Sequence, residues 1–433
     1  MNSTNKTTLY YRERAHRFIP AGAHTYSKAD DQFPGNAPPF IDRASGARCW
    51  DTDGQEYIDY GMGIFAVSLG HAFPSVTERI GRQLERGNAF TRPSILEGEL
   101  AERLCNLIPC AEMVKFAKNG SDVTSAAIRL ARFHTGGSYV VRCQEQPFHS
   151  FCDWFIGSTS RAGGVPQAVR DLTLKFRYND LDSLEQLFAE KGRDIACVIM
   201  EPADVQSPQP GFLQGVRELC DRHGALLIFD EIITGFRWHL RGAQFFYDVT
   251  PDLATFGKGM ANGFPCAALV GRREIMEHGN MNGPVFLLSC TYGSELVGLT
   301  AALATLDRFE DQDVIAHIWK YGADLQEGLR LRIERHGLSS RVEVRGLPCR
   351  PSLWFASEEG SFSYELKTLF MQEMIERHIL MERICISLSH GHDELTMTLA
   401  AADESFAVLA KVLEAGTMRE HLRGPVARPV FLY

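Results

Sequence analysis

The chain has 433 residues, 45% of them hydrophobic and 23% charged, and carries a formal net charge of −9. That length accommodates two or three domains around a large buried core. The composition is that of an ordinary soluble globular protein, and the acidic balance argues against nucleic acid or an anionic membrane surface as a partner.

No apolar run reaches the roughly 18 residues that a membrane-spanning helix needs. The polar start Met1-Asn2-Ser3-Thr4-Asn5-Lys6 has no signal-peptide core. The 11 cysteines, among them Cys49, Cys105, Cys110, Cys197 and Cys290, form no CxxC pair and no Cys/His cluster with zinc spacing. A reduced, cytoplasmic protein without a metal site is expected. The first elements are a Gly- and Pro-rich loop over 20–39 and short strands at 39–43, 49–51 and 57–59, with Asp53-Gly54 as a hairpin turn. From about residue 75, helices (97–108, 122–135, 181–191, 215–223) alternate with apolar strands (113–117, 139–142, 196–200, 225–229). That alternation predicts an α/β fold, a mostly parallel sheet with helices on both faces. From about Asp311, long amphipathic helices and a few strands, ending in a helix at 404–413, predict a smaller α+β domain. The expected division is 1–74 as an N-terminal segment joining the small domain, 75–310 as the large domain and 311–433 as the small one.

A parallel sheet binds ligands at the carboxyl ends of its strands. Glu201, Asp230 and Lys258 each fall at the end of an apolar strand, Lys258 between two glycines in Phe256-Gly257-Lys258-Gly259. An amine for a Schiff base and a carboxylate for a pyridine nitrogen are what pyridoxal 5'-phosphate, PLP, requires. Asn119-Gly120-Ser121-Asp122 opens a helix just after a strand. Glycine allows close backbone approach, the helix start has free N–H groups, and Ser121 adds a hydroxyl, which together make a phosphate cup. An ordinary helix cap at Ser121 would use the same residues. Phe148-His149 follows another strand and offers an aromatic ring to a cofactor face, or to the core.

Together these residues resemble the class III, fold type I PLP-dependent aminotransferases, and within them the glutamate-1-semialdehyde 2,1-aminomutase group. The resemblance runs from about Pro20 to Val297 and continues more weakly to the C-terminus. It rests on Asp59-Tyr60-Gly61 with Leu69-Gly70-His71-Ala72-Phe73-Pro74, on the Ile228-to-Arg237 run, and on Thr255-Phe256-Gly257-Lys258-Gly259. It implies that Lys258 holds PLP, or releases it as pyridoxamine 5'-phosphate, and moves the proton, while Asp230 pairs with the pyridine nitrogen. It further implies that Gly120 and Ser121 bind the phosphate and that Phe148 and Ile232 cover the two ring faces. Phe148 and His149 stand where the family has Tyr-His, so the ring is kept and the hydroxyl lost. Glu201 matches the family's Glu-Pro, and Gln206 falls where the aminomutases have an Asn near the cofactor's 3'-oxygen. Thr291 matches a threonine that reaches the neighbouring subunit's phosphate, which implies a homodimer with shared sites.

The sequence departs from the aminomutases at the substrate side. Lys28 stands where they have a carboxylate-binding Arg, and Lys offers a point charge in place of a planar fork. Asp30-Asp31 beside it is expected to repel a dicarboxylate. Residues 157–166 resemble the family's mobile gating loop, and Arg345 and Arg350 are placed on the substrate side without an assigned ligand. The leading expectation is an aminotransferase moving an amino group between an amino donor and a sugar-related or small polar carbonyl acceptor. The alternatives are an intramolecular aminomutase, a racemase, or a non-catalytic PLP-fold binding protein.

Overall fold

The computed structural model describes residues 3–428 and 430–431. Met1 and Asn2 of the polar start, and positions 429, 432 and 433 of the expected C-terminal domain, lie outside them. The chain separates into two compact units: a split unit built from residues up to Phe73 together with those from Ala316 onward, and a central unit, Pro74–Ile315. In chain order the strands are β1 (Ile41–Ser45), β2 (Arg48–Asp51), β3 (Glu56–Asp59), β4 (Met113–Ala117), β5 (Tyr139–Cys143), β6 (Thr173–Phe176) and β7 (Ile195–Met200). They continue with β8 (Leu226–Asp230), β9 (Leu253–Phe256), β10 (Ala267–Gly271), β11 (Val342–Arg345), β12 (Ser352–Phe355) and β13 (Ile379–Leu380).

The central unit carries a seven-stranded sheet in the order β4-β10-β9-β8-β7-β5-β6. The run from β9 to β6 is parallel, and β10 is antiparallel to both its neighbours. β7 and β8 are buried along their whole length, as their unbroken apolar runs require when helices cover both faces. The helix Gly120–Thr135 turns Val123, Ala126, Ala127, Leu130 and Ala131 inward, where they cluster with Ile199, Ile228, Leu253 and Leu269. That spacing is one face of an amphipathic helix. Gly136, at φ +75°, closes it in the left-handed conformation that glycine adopts without penalty.

The predicted helix over 215–223 starts earlier, at Phe212. β10 has no counterpart among the sequence expectations: Ala267-Ala268-Leu269-Val270-Gly271 holds a single β-branched residue, so neither propensity nor alternation marks it.

In the split unit, β1, β2 and β3 form an antiparallel meander and β13 joins β3 in parallel. β11 and β12 make a separate ribbon. The predicted helix over 404–413 is only the later part of His392–Ala415, which starts where Glu394 accepts the backbone N–H of Gly391. Among the described residues no helix is long and apolar enough to cross a membrane.

His390, fully buried, stacks near Tyr60 with ring centroids 4.6 Å apart. Its Nδ1 accepts the backbone N–H of Ser387 at 3.1 Å. Burial pulls its pKa down to about 4, from the 6.5 usual for histidine. Between those values the unfolded chain binds a proton that the folded chain refuses, so stability falls as pH drops through this window, by up to about 3 kcal/mol. Urea melts from pH 7 to pH 4 are expected to show this slope, and His390→Gln to flatten it. An unchanged slope in the variant would assign the acid sensitivity elsewhere.

Candidate active site

The site forms at the carboxyl ends of the parallel strands, where each chain segment leaves the sheet. Asp230 is the last residue of β8 and is buried. Its Oδ1 accepts the backbone N–H of Ile232 and the Thr255 hydroxyl, each at 3.2 Å. Its Oδ2 lies 2.7 Å from His149 Nδ1, and because an ionised carboxylate only accepts, Nδ1 donates. Three donors therefore fix the orientation of this carboxylate. His149 Nε2, also buried, has no hydrogen-bond partner among the described residues. Such an atom needs a reason, and a ligand seated over His149 and Asp230 supplies one.

Lys258 follows β9 across Gly257 and opens the short helix Lys258–Ala261. It is half-buried, with φ +42°. A non-glycine residue in this left-handed region costs about 1–3 kcal/mol and clusters at functional sites. β8 and β9 are paired neighbours, so the amine-bearing and carboxylate-bearing ends emerge side by side.

The start of the helix Gly120–Thr135 completes the arrangement. Asn119, not Ser121, is its N-cap: the Asn119 Oδ1 accepts the Asp122 N–H at 3.1 Å. Ser121 instead lies in the first turn, and its Oγ accepts the Phe151 N–H at 3.0 Å. That bond ties the helix start to the loop carrying Phe148 and His149. The first N–H groups of a helix have no intrahelical partner and favour an anion. Glycine leaves room here for Ile232, because a Cβ at Gly120 would sit 2.3 Å from Ile232 Cδ1. Gly120→Ala is expected to push Ile232 aside, and overpacking of about 1–3 kcal/mol felt in the cofactor-bound state translates to about a five-fold to 150-fold loss in cofactor retention. Ile232→Ala in the same chain should restore it. Equal retention in Gly120→Ala and the parent protein, read from the cofactor released on dialysis, would remove Gly120 from the cup.

The remaining expected residues are placed less uniformly. Glu201 is buried just past β7, its backbone bracketed by the Gln146 side chain through bonds of 2.7 and 2.9 Å. Phe148 is 48% exposed and meets Phe155 edge-on. Gln206 is exposed, and its carbonyl accepts the Asp204 N–H at 3.4 Å. Thr291 is exposed beside Tyr292 and Cys290.

Lys28 belongs to the split unit and is exposed. The repulsion expected from Asp30 is offset, because Arg12 Nε donates to it at 2.6 Å and His16 Nε2 lies at 3.0 Å. Burial pushes the Asp30 carboxyl up, yet the bonds from His16 and Arg12 prevail and hold it below its usual range. Arg345 pairs with Glu343 at 2.7 Å and lies over the Trp354 ring, while Arg350 lies over Phe65. The glycine-bearing loop over 157–166 is tied at both ends: buried Arg142 holds Ser158, and Arg170 holds the carbonyls of Ala162 and Val165.

Three residues of the site had no sequence expectation. Gln146 and Thr255 act through their bonds to Glu201 and Asp230. Glu231, fully buried and pushed up by that burial, accepts N–H bonds from Ala243 and Gln244 and so closes the loop that follows Asp230. Its position directly after Asp230 was the available signal.

The class-III aminotransferase family model matches residues 31–354. The chain belongs to that family. It is a PLP-dependent enzyme of the fold type I architecture. It is 36% identical over 426 residues to a glutamate-1-semialdehyde 2,1-aminomutase of Desulforamulus reducens, covering 92% of this chain and 97% of the relative. Among solved structures it is similar to the PLP internal aldimine form of the FumI protein of Sphingopyxis sp. MTA144, with TM-score 0.87, 29% identity, and coverage of 95% of this chain and 98% of that one. It is also similar to an omega-transaminase from Sphaerobacter thermophilus, with TM-score 0.84, 26% identity, and coverage of 93% and 98%.

Proposed function

We propose that the chain is an aminotransferase that moves an amino group between an amino donor and a small polar or sugar-related carbonyl acceptor. The observation that carries this reading is the pairing of Asp230 and Lys258 at adjacent strand ends, beside a helix start relieved of a Cβ at Gly120. PLP, when bound, supplies the sink for the electrons released as a substrate C–H bond breaks. Lys258 Nζ would hold the cofactor between turnovers and would carry the proton taken from the substrate carbon. Asp230 keeps the pyridine nitrogen protonated, and His149 keeps Asp230 aimed. Gly120 and Ser121 would bind the phosphate, Ile232 and Phe148 would cover the ring, and Glu201 and Gln206 would complete the cofactor's surroundings. The identity to an aminomutase favours a second reading, transfer within one molecule, which needs the intermediate to stay enclosed.

A half-reaction screen separates the two. Conversion of the cofactor spectrum to the pyridoxamine form by a single donor such as glutamate, with release of its keto acid, supports the aminotransferase. Turnover of one amino-carbonyl compound without a co-substrate, and no response to any external donor, supports the aminomutase.

The proposed assembly is a cytoplasmic homodimer in which Thr291 serves the neighbouring subunit's phosphate. Its support is the exposed apolar stretch around Thr291, with Phe286 73% and Tyr292 63% exposed, a pattern typical of interfaces. Thr291→Ala is expected to leave the dimer intact and weaken cofactor retention about ten-fold, the worth of one hydrogen bond to a charged group. A fully active monomer at micromolar concentration, seen by sedimentation, would overturn the shared site.

A further inference from the structure

Three contacts of the candidate site spring from one stretch of chain, residues 144–158, which follows β5. Gln146 brackets the Glu201 backbone, its Nε2 donating at 2.7 Å and its Oε1 accepting at 2.9 Å. His149 Nδ1 donates to Asp230 at 2.7 Å, and the Phe151 N–H donates to Ser121 Oγ at 3.0 Å. Apart from the one-turn helix Asp153–Ile156 the stretch is irregular, so no strand ladder fixes its course. Its middle is tied to the helix Gly120–Thr135: Thr124 Oγ1 donates to the His149 carbonyl at 3.0 Å, and Ser125 Oγ meets Ser150 Oγ at 3.2 Å. Anchors at the middle alone leave the stretch able to pivot.

Arg142, the penultimate residue of β5, removes that freedom by joining the two ends. Its Nη1 donates to the Cys143 carbonyl at 2.8 Å and lies 3.4 Å from the Gln146 carbonyl. Its Nε donates to Ser158 Oγ at 2.8 Å, and its Nη2 to the Ser158 carbonyl at 3.2 Å. The guanidinium carbon lies 4.8 Å from the centre of the Phe155 ring, and the residue is only 1% exposed. Packing does not require such a group, because an apolar residue of like volume is often as stable as a buried charge. An apolar residue cannot hold two chain positions 16 residues apart with one rigid fork, and neither can the single ammonium of lysine. The precision matters, since a contact such as that of His149 with Asp230 works only when held to within about 0.5 Å.

We infer that Arg142 is a positioning residue of the transferase site: by joining the ends of 144–158 it holds His149 against Asp230, and it acts on the cofactor only through them. The inference rests on the proposed pairing of Asp230 with the pyridine nitrogen.

Proton NMR of the cofactor-loaded protein tests it without a substrate. The His149 Nδ1–H, buried against a carboxylate, gives a downfield resonance that is identified by its loss in His149→Phe. In Arg142→Met this proton is expected to move upfield and to exchange with solvent about ten-fold faster or more, because the segment that carries it opens more often. Arg142→Lys should recover part of the change. With a substrate from the half-reaction screen, Arg142→Met should lower kcat about ten-fold while cofactor retention holds, and in a His149→Phe background its cost should shrink to about three-fold or less. An unchanged resonance in a folded Arg142→Met protein, its absence from the parent protein, or a kcat loss equally large in the His149→Phe background would each overturn the assignment. Should the Met variant fail to fold, Ser158→Ala, which removes the Nε acceptor alone, must move the same resonance in the same direction, and no movement overturns the assignment as well. If the resonance responds while Asp230→Asn keeps the parent rate, the pairing of Asp230 with the cofactor fails and the hold of Arg142 on His149 stands.

Discussion

Lys258→Ala is expected to yield a folded protein that has lost turnover by at least about a thousand-fold, the upper part of the range for a positioned acid–base group. The fold survives because Lys258 lies outside the strand ladder, on a half-buried turn between Gly257 and Gly259. Alanine inherits the same left-handed backbone at φ +42° and its cost, so the melting temperature should move little. The proposed phosphate cup at Gly120 and Ser121 is untouched, and cofactor should still bind, without the covalent link and without the absorbance band that the link produces. An added small primary amine should recover part of the rate, because it replaces the proton carrier and leaves the rest of the site in place. Activity within ten-fold of the parent protein would take the proton transfer away from Lys258.

The positions of the two residues proposed to carry the chemistry were legible because each follows an apolar run that the structure builds as a strand. Leu227-Ile228-Phe229-Asp230 and Thr255-Phe256-Gly257-Lys258 read as buried strands followed by a polar group, and in a parallel sheet that polar group has one place to go. The helix start was legible as a type of structure and not in detail. Asn119, Ser121 and Asp122 are all competent caps, and the choice is made by Phe151, whose N–H claims the Ser121 hydroxyl from 30 residues away. The engagement of Asp30 by Arg12 and His16 has the same character: neighbours in sequence suggest a bare acidic pair, while the fold returns the first helix to neutralise one of them. Gln146 holds Glu201 across 55 residues. Periodicity reports which face is buried; it carries no information on which polar groups meet.

Asp230→Asn is the most discriminating change on the acid side of the site, because it preserves shape and removes charge. The three donors around Asp230 persist: the Ile232 N–H, the Thr255 hydroxyl and the His149 Nδ1–H. Asparagine offers one carbonyl oxygen to them, so one donor must face the new NH2. His149 can resolve this by carrying its proton on Nε2, which leaves Nδ1 as an acceptor. The cost in stability is then that of one hydrogen bond to a charged group, about 1.5–3 kcal/mol, too small to unfold the unit. What cannot be restored is the negative charge opposite the pyridine nitrogen. Without it the nitrogen loses its proton and the ring withdraws electrons poorly, so turnover is expected to fall about 10²–10³-fold, as when one preorganised electrostatic contact is removed. Cofactor retention should stay near that of the parent, since neither Gly120 nor Ser121, the proposed phosphate cup, makes a hydrogen bond to Asp230 among the described residues. The signature is a fall in kcat with retention preserved, which marks an interaction realised in the transition state and not in binding. A variant that lost cofactor and rate together would make Asp230 a binding residue, and one that kept the parent rate would remove it from the chemistry.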